Sequence, residues 1–192
     1  MQYFSIDIET TGLNPNCDQI LQIGIAFEDT DDITTFKDIP KAEVLVKHKR
    51  IEGQPFAINM NQDLIRRLAD KNNTEDKIWD HEIEMWLRKF INIHTKGGID
   101  GKSTINVAGK NFNSFDRVFL EKHINPCYLR FRHRAIDPAM LCIDWTSDKL
   151  PSLQECLENC KENGKVKHTA VEDALDVIRI IRLKTKYYTK GL

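Results

Sequence analysis

The chain has 192 residues, of which 41% are apolar and 30% charged, and its 28 Lys and Arg against 29 Asp and Glu leave a formal net charge of −1. Residues 1–192 are expected to form one domain; the composition excludes a disordered or fibrous chain, and the charge balance excludes a strongly basic nucleic-acid coat, though not local patches. No apolar run approaches the roughly 20 residues of a membrane span, and the opening MQYFSIDIET has no secretory-signal pattern, so five cysteines without C-x-x-C read as free thiols in a reducing cytoplasm.

The first element is a strand: Phe4, Ile6 and Ile8 alternate strictly with Ser5, Asp7 and Glu9. Leu21, Ile23, Ile25 and Phe27 repeat the alternation up to an acidic turn at residues 28–32, and a third short strand is expected at about Ile33 to Phe36, completing an antiparallel meander. Val44-Leu45-Val46 suggests another short strand, and Pro55 argues for a loop. Leu64, Ile65 and Leu68 mark a short helix. Trp79, Ile83, Trp86, Leu87, Phe90 and Ile91 follow steps of three and four, the apolar face of a long one. A glycine-bearing loop from Thr95 to Ser103 leads to a strand at Ile105 to Ala108 and a helix with core face Phe115, Val118 and Phe119. A short strand near Ala135 to Asp137, a helix after Pro151 and a last helix from about Ala170 to Lys184 complete the chain. Three antiparallel strands followed by interleaved strands and helices imply an α/β mixed sheet flanked by helices.

Asp7 and Glu9, two apart on a strand, point the same way at about 6.5 to 7 Å along the chain. Two carboxylates on one face repel and lose hydration; a divalent cation relieves both, because Mg²⁺ takes oxygen ligands. An edge strand facing solvent would satisfy the same pattern with no metal. Thr10-Thr11-Gly12-Leu13 follows as a turn of small residues that lets backbone amides approach a ligand. Asp116 stands near the start of one helix, and His168 and Asp173 flank the start of the last. Singly, each aspartate reads as a charge favoured by the helix dipole, and His168 as a surface residue.

Taken together, SIDIETTGL (5–13), GKNFNSFDRVFLEKH (109–123) and SLQECLENC through HTAVEDAL (152–175) resemble the motifs of the DEDDh 3′→5′ exonucleases. This family contains proofreading subunits, oligoribonuclease and tRNA-trimming ribonucleases. H-x-A-x-x-D is the most specific of the motifs, and Thr169 stands where the sister branch has tyrosine. The resemblance implies a ribonuclease H-like fold and hydrolysis of the terminal phosphodiester with two divalent ions, Mg²⁺ or Mn²⁺. Asp7, Glu9 and Asp173 would hold the ion that carries the attacking water. Asp7 would bridge to the second ion, supported by Asp116, and His168 would take the water's proton. Such an arrangement suits an in-line displacement clamped by ions 3.5 to 4 Å apart, with a base whose ordinary pKa lies near 6.5. Thr11, Gly12 and Leu13 would line the pocket for the terminal nucleotide, with Leu13 against its base or sugar. Where many relatives carry asparagine four residues before the second-motif aspartate, this chain has Phe112, between Asn111 and Asn113; Phe112 and Asn113 join the expected substrate-binding residues. Asp137 reads either as a recurring family position or as a structural carboxylate.

The implied substrates are 3′ ends of single-stranded DNA, slightly favoured, or RNA, released as nucleoside 5′-monophosphates; a polymerase or a second copy of the chain is an open partner. The rivals are a catalytically silent DEDD module that binds nucleic acid or a polymerase, and an RNA-specific 3′ trimming enzyme. Tyr128 to Arg134 mixes cations with aromatic rings, which suits a single strand and equally a solvated surface.

Overall fold

In the computed structural model, the structure describes residues 1–96, 103–160 and 169–185. Five strands form the main sheet: β1 (Gln2–Thr10), β2 (Ile20–Asp29), β3 (Lys41–Lys47), β4 (Lys77–Trp79) and β6 (Val107–Ala108), in the order β4-β3-β2-β1-β6. β1, β2 and β3 pair antiparallel, whereas β6 runs parallel to β1 and β4 parallel to β3. β5 (Ser103–Ile105) and β7 (Leu129–Phe131) make a separate parallel pair. The helices are α1 (Pro55–Met60), α2 (Gln62–Ala69), α3 (Ile83–His94), α4 (Asp116–Leu120), α5 (Leu153–Asn159) and α6 (Ala170–Thr185). This is the ribonuclease H-like α/β architecture expected.

The alternation in β1 sends its residues to two different layers. Phe4, Ile6 and Ile8 join Ile23, Ile25, Val44 and Val46 against the apolar stripe of α3 and against Phe119 and Leu120 of α4. The opposite face carries Tyr3, Ala26 and Ala108 beneath Ala174, Val177, Ile178 and Ile181 of α6. Small residues on that face let α6 lie close, and Gly24 is the extreme case: a Cβ there would stand 2.1 Å from the carbonyl carbon of Ala170.

Several elements differ from the sequence expectation for local reasons. The third meander strand is β3, which contains Val44-Leu45-Val46; residues 36–38 form a single 3-10 turn instead. Pro55 opens α1, because proline at the first helical position loses no hydrogen bond. The long helix starts at Ile83, and Trp79 ends β4 with the Lys47 ammonium 4.8 Å from its ring centre. The expected strand at 105–108 is split between the two sheets. On α4, Phe119 is buried but Val118 is 37% exposed. Near Ala135 to Asp137 only an isolated bridge forms, between Ile136 and Ala108. Part of the expected 95–103 loop lies outside the described residues.

One buried ion pair fastens α6 to the sheet. Arg182 donates through Nε and Nη2 to both oxygens of Glu28 at 2.8 and 2.6 Å, and through Nη1 to the Thr34 carbonyl at 3.0 Å. Both side chains are almost fully enclosed. Removing one partner from such a pair strands a charge at a cost of about 3–5 kcal/mol. Arg182→Met is therefore expected to lower the urea midpoint by that equivalent, and an unchanged midpoint would refute the assignment.

Candidate active site

The site forms where three elements meet the C-terminal half of β1. On β1, Asp7 and Glu9 share the α6 face. The antiparallel register sets Gly24 beside Asp7 and Gln22 beside Glu9. Because Gly24 has no side chain, the first turn of α6 settles directly over the sheet.

A helix begins with backbone N–H groups that lack intrahelical partners, and the first three of α6 find acceptors elsewhere. Ala170 donates to Gln22 Oε1 (3.2 Å), Val171 to the Glu43 carboxylate and Glu172 to Thr169 Oγ1 (3.4 Å), after which Asp173 makes an i→i−4 bond to the Thr169 carbonyl (3.0 Å). Anchored this way, Asp173 meets Asp7 and Glu9: one carboxylate oxygen from each lies within 4.8 Å of the others.

Asp116 arrives from the other side of β1. β6 pairs only with Phe4 and Ser5, so the edge of β1 is open beyond them. The chain then crosses close to β1 at Gly109, where a Cβ would stand 2.9 Å from the Ile6 carbonyl. It turns through Asn111 at φ 57° and starts α4 at Asp116. The open N–H of Ile8 donates to Asp116 Oδ1 at 3.0 Å, which places this carboxylate beside the strand that carries Asp7 and Glu9.

Sequence reading missed Asn61. It sits between α1 and α2, where its side-chain amide donates to the Thr10 carbonyl (2.9 Å) and to the Glu9 carboxylate. It also missed Phe56, 77% exposed on α1, the helix whose start is docked on the Thr11 loop through Gln54 N–H to the Thr11 carbonyl (2.8 Å). A proline one residue ahead of Phe56 was the available signal for a helix start.

The other expected site residues fall into distinct groups. Leu13 is 74% exposed and open to a ligand. Thr11 is wholly buried, its hydroxyl accepting from the Gln19 amide at 2.8 Å, and so holds the loop in shape. At Gly12 a Cβ would stand 2.2 Å from the Asp18 carboxylate, so any larger residue would have to displace that side chain from its bonds to the Asn14 amide and Gln54. Phe112 must be withdrawn from the substrate-binding set: it is 1% exposed in the core, edge-on to Phe131. Asn113 is exposed but spends its amide on the His133 carbonyl at 3.0 Å. Asp137 is structural, accepting from the Ala139 and Asn111 amides at 2.9 and 3.0 Å. His168 lies outside the described residues.

Crowding raises the affinity of these carboxyls for protons. Asp7 is pushed well above the ordinary aspartate range by burial, then by Asp116, Asp173 and Glu9. Glu9 is raised to about 7 by burial and Asp173, opposed by the Asn61 hydrogen bond. Asp116 is also raised, mainly by burial, with its backbone amide bonds pulling the other way. Hard oxygen donors gathered against their own repulsion fit a divalent cation, which stabilises all of them as anions. Asp7, Glu9 and Asp173 form the group able to hold it.

The architecture is ribonuclease H-like, and its carboxylate cluster offers oxygen donors suited to a divalent cation. No protein-family model matches the chain. Over 195 residues it is 26% identical to an oligoribonuclease from Nitrosomonas europaea, covering 97% of this chain and 93% of that protein. Over 191 residues it is 26% identical to the oligoribonuclease of Buchnera aphidicola, covering 96% and 92%. Among solved structures it superposes on exonuclease I from Methylocaldum szegediense with TM-score 0.63 at 14% identity. It superposes on E. coli exonuclease I in complex with a dT13 oligonucleotide with TM-score 0.62, also at 14% identity. In both, 98% of this chain is covered but only 42% of the longer exonuclease chain. The two near-full-length oligoribonuclease relatives and the exonuclease I likeness in fold support a 3′→5′ exonuclease of the DEDD type. Among the described residues no helix is long and apolar enough to cross a membrane.

Raised carboxyl pKa values give a stability effect of definite sign. Glu9 binds its proton up to about pH 7 when folded but only up to about 4.5 when unfolded. In metal-free protein, stability from this group therefore falls as pH rises from about 4.5 to 7, and Asp7 and Asp116 act in the same direction. In chelator at pH 8, Asp7→Asn is expected to melt a few degrees above wild type, on the scale of about 2–4 °C per kcal/mol. The advantage should shrink by pH 4. Equal melting temperatures at pH 8 would contradict the crowding argument.

Proposed function

We propose that the protein shortens single-stranded nucleic acid from the 3′ end, hydrolysing the terminal phosphodiester with two divalent ions, Mg²⁺ or Mn²⁺, and releasing nucleoside 5′-monophosphates. The observation that carries this reading is the convergence of Asp7, Glu9 and Asp173 within 4.8 Å, with Asp116 tied to the backbone between the first two. Asp7, Glu9 and Asp173 would hold one ion, and Asp7 with Asp116 would support the other. When bound, the ions neutralise the carboxylates and polarise the phosphodiester.

The rest falls to the chain's own groups. Leu13 and Phe56 present exposed apolar surface from the loop and the helix docked on it, a site for the terminal base. Asn61 orients the Glu9 carboxylate so that it stays an acceptor. His168, five residues ahead of Asp173 in the DEDDh motif, accepts the proton of the attacking water. For the substrate, two near-full-length oligoribonuclease relatives at 26% identity weigh more than a DNA-bound fold neighbour at 14%. RNA ends therefore come ahead of DNA ends.

Digestion of 5′-labelled single-stranded RNA and DNA of one sequence, with Mg²⁺, Mn²⁺ or chelator, tests the reading. The expected result is a ladder shrinking from the 3′ end, abolished by chelator and by Asp7→Asn, with RNA the faster strand. No cleavage by folded protein would favour the silent binding module. His168→Ala is expected to slow cleavage by about 10² to 10⁴-fold and to remove the acid limb of the pH profile; a profile of unchanged shape would place the base elsewhere.

A further inference from the structure

Every arginine outside residues 130–134 has a carboxylate oxygen within 4.0 Å, from exposed Arg50 with Glu52 (3.4 Å) to buried Arg182 with Glu28 (2.6 Å). Arg130, Arg132 and Arg134 have none among the described residues, and all three are exposed. In a chain of net charge −1, three uncompensated guanidinium groups within five residues form a strong local field.

They line a groove of about 820 Å³ together with His133, Pro126 and Phe131. The volume suits one or more nucleotides. The carboxylate in its lining, Glu121, is already bonded to Arg117 Nε at 2.8 Å. Arg117 also fixes the groove to the active site. It follows Asp116 on α4, and its Nη1 donates to the Arg132 carbonyl at 3.2 Å, while Asn113 holds the His133 carbonyl. The arginine-bearing segment is thus pinned to the helix that presents Asp116. Its backbone is used for attachment; Arg130 also donates through Nε to the Pro126 carbonyl, and no carboxylate among the described residues neutralises the three guanidinium groups, whose charge is left for a ligand.

We propose that this groove receives internal phosphodiesters of the strand whose 3′ end lies at the carboxylate cluster. It would thereby favour strands several nucleotides long over dinucleotides. The proposal rests on the exonuclease reading, so its test reads binding apart from cleavage. Full-length protein in chelator is titrated against fluorescein-labelled U12 and dT12 by anisotropy between 50 and 200 mM salt. Each neutralised phosphate contributes about 0.7 to the salt slope for a single strand. The double variant Arg130→Ala/Arg132→Ala should therefore bind roughly tenfold more weakly, with a slope smaller by about 1.4. Arg130→Lys/Arg132→Lys should restore most of that slope. With metal present, the alanine variant should raise KM for U12 while leaving UpU cleavage within about twofold.

Unchanged affinity and slope in the alanine variant would overturn the proposal. So would lysines that restore nothing, or wild-type protein that fails to bind either 12-mer at 50 mM salt. Binding that follows the expected pattern without cleavage of any strand would overturn the nuclease reading alone.

Discussion

The structure is organised around mutual repulsion. Four carboxylates are brought to one end of a sheet, and burial together with their neighbours raises the proton affinity of Asp7, Glu9 and Asp116. Nothing local favours this gathering; neighbouring parts of the fold enforce it. The β1–β2 register fixes two of the groups, the amide-bound start of α6 fixes a third, and an open strand edge fixes the fourth. The strain is the kind expected where a fold gives up stability for chemistry.

The enforcement depends on side chains far from any substrate. Gln22 and Glu43 project from neighbouring strands to bind the first two amides of α6, and Gly24 leaves them room to do so. At the other end of the same helix, Arg182 grips Glu28. The helix is thus held to the sheet by polar contacts at both ends and by alanine and branched aliphatic packing between. A helix with a hydrophobic stripe alone could slide along the sheet; these bonds set its position.

What was readable in the sequence follows the same division. β1, β2, α3 and α6 announce themselves through long apolar periods, and the acidic positions occur within motif-like strings. Two of the shortest strands were not readable: β7 is three residues among arginines, and β4 three residues ending in a tryptophan. Each is defined by the partner it pairs with rather than by its own composition. The role of Asn61 was invisible for a related reason: its value comes from bridging Thr10 and Glu9, 51 residues away along the chain from the first. Phe112 misled because aromatic character beside a motif is compatible with either a core or a binding face.

The bond from the Ile8 amide to Asp116 has a further consequence. A backbone proton on the open edge of β1 is shared with a carboxyl group whose charge depends on protonation and on cation occupancy. The proton's resonance frequency is sensitive to the charge on its acceptor, so the Ile8 peptide group is a native gauge of the state of the site. It belongs to the backbone itself and can be followed in solution without any label placed in the cleft.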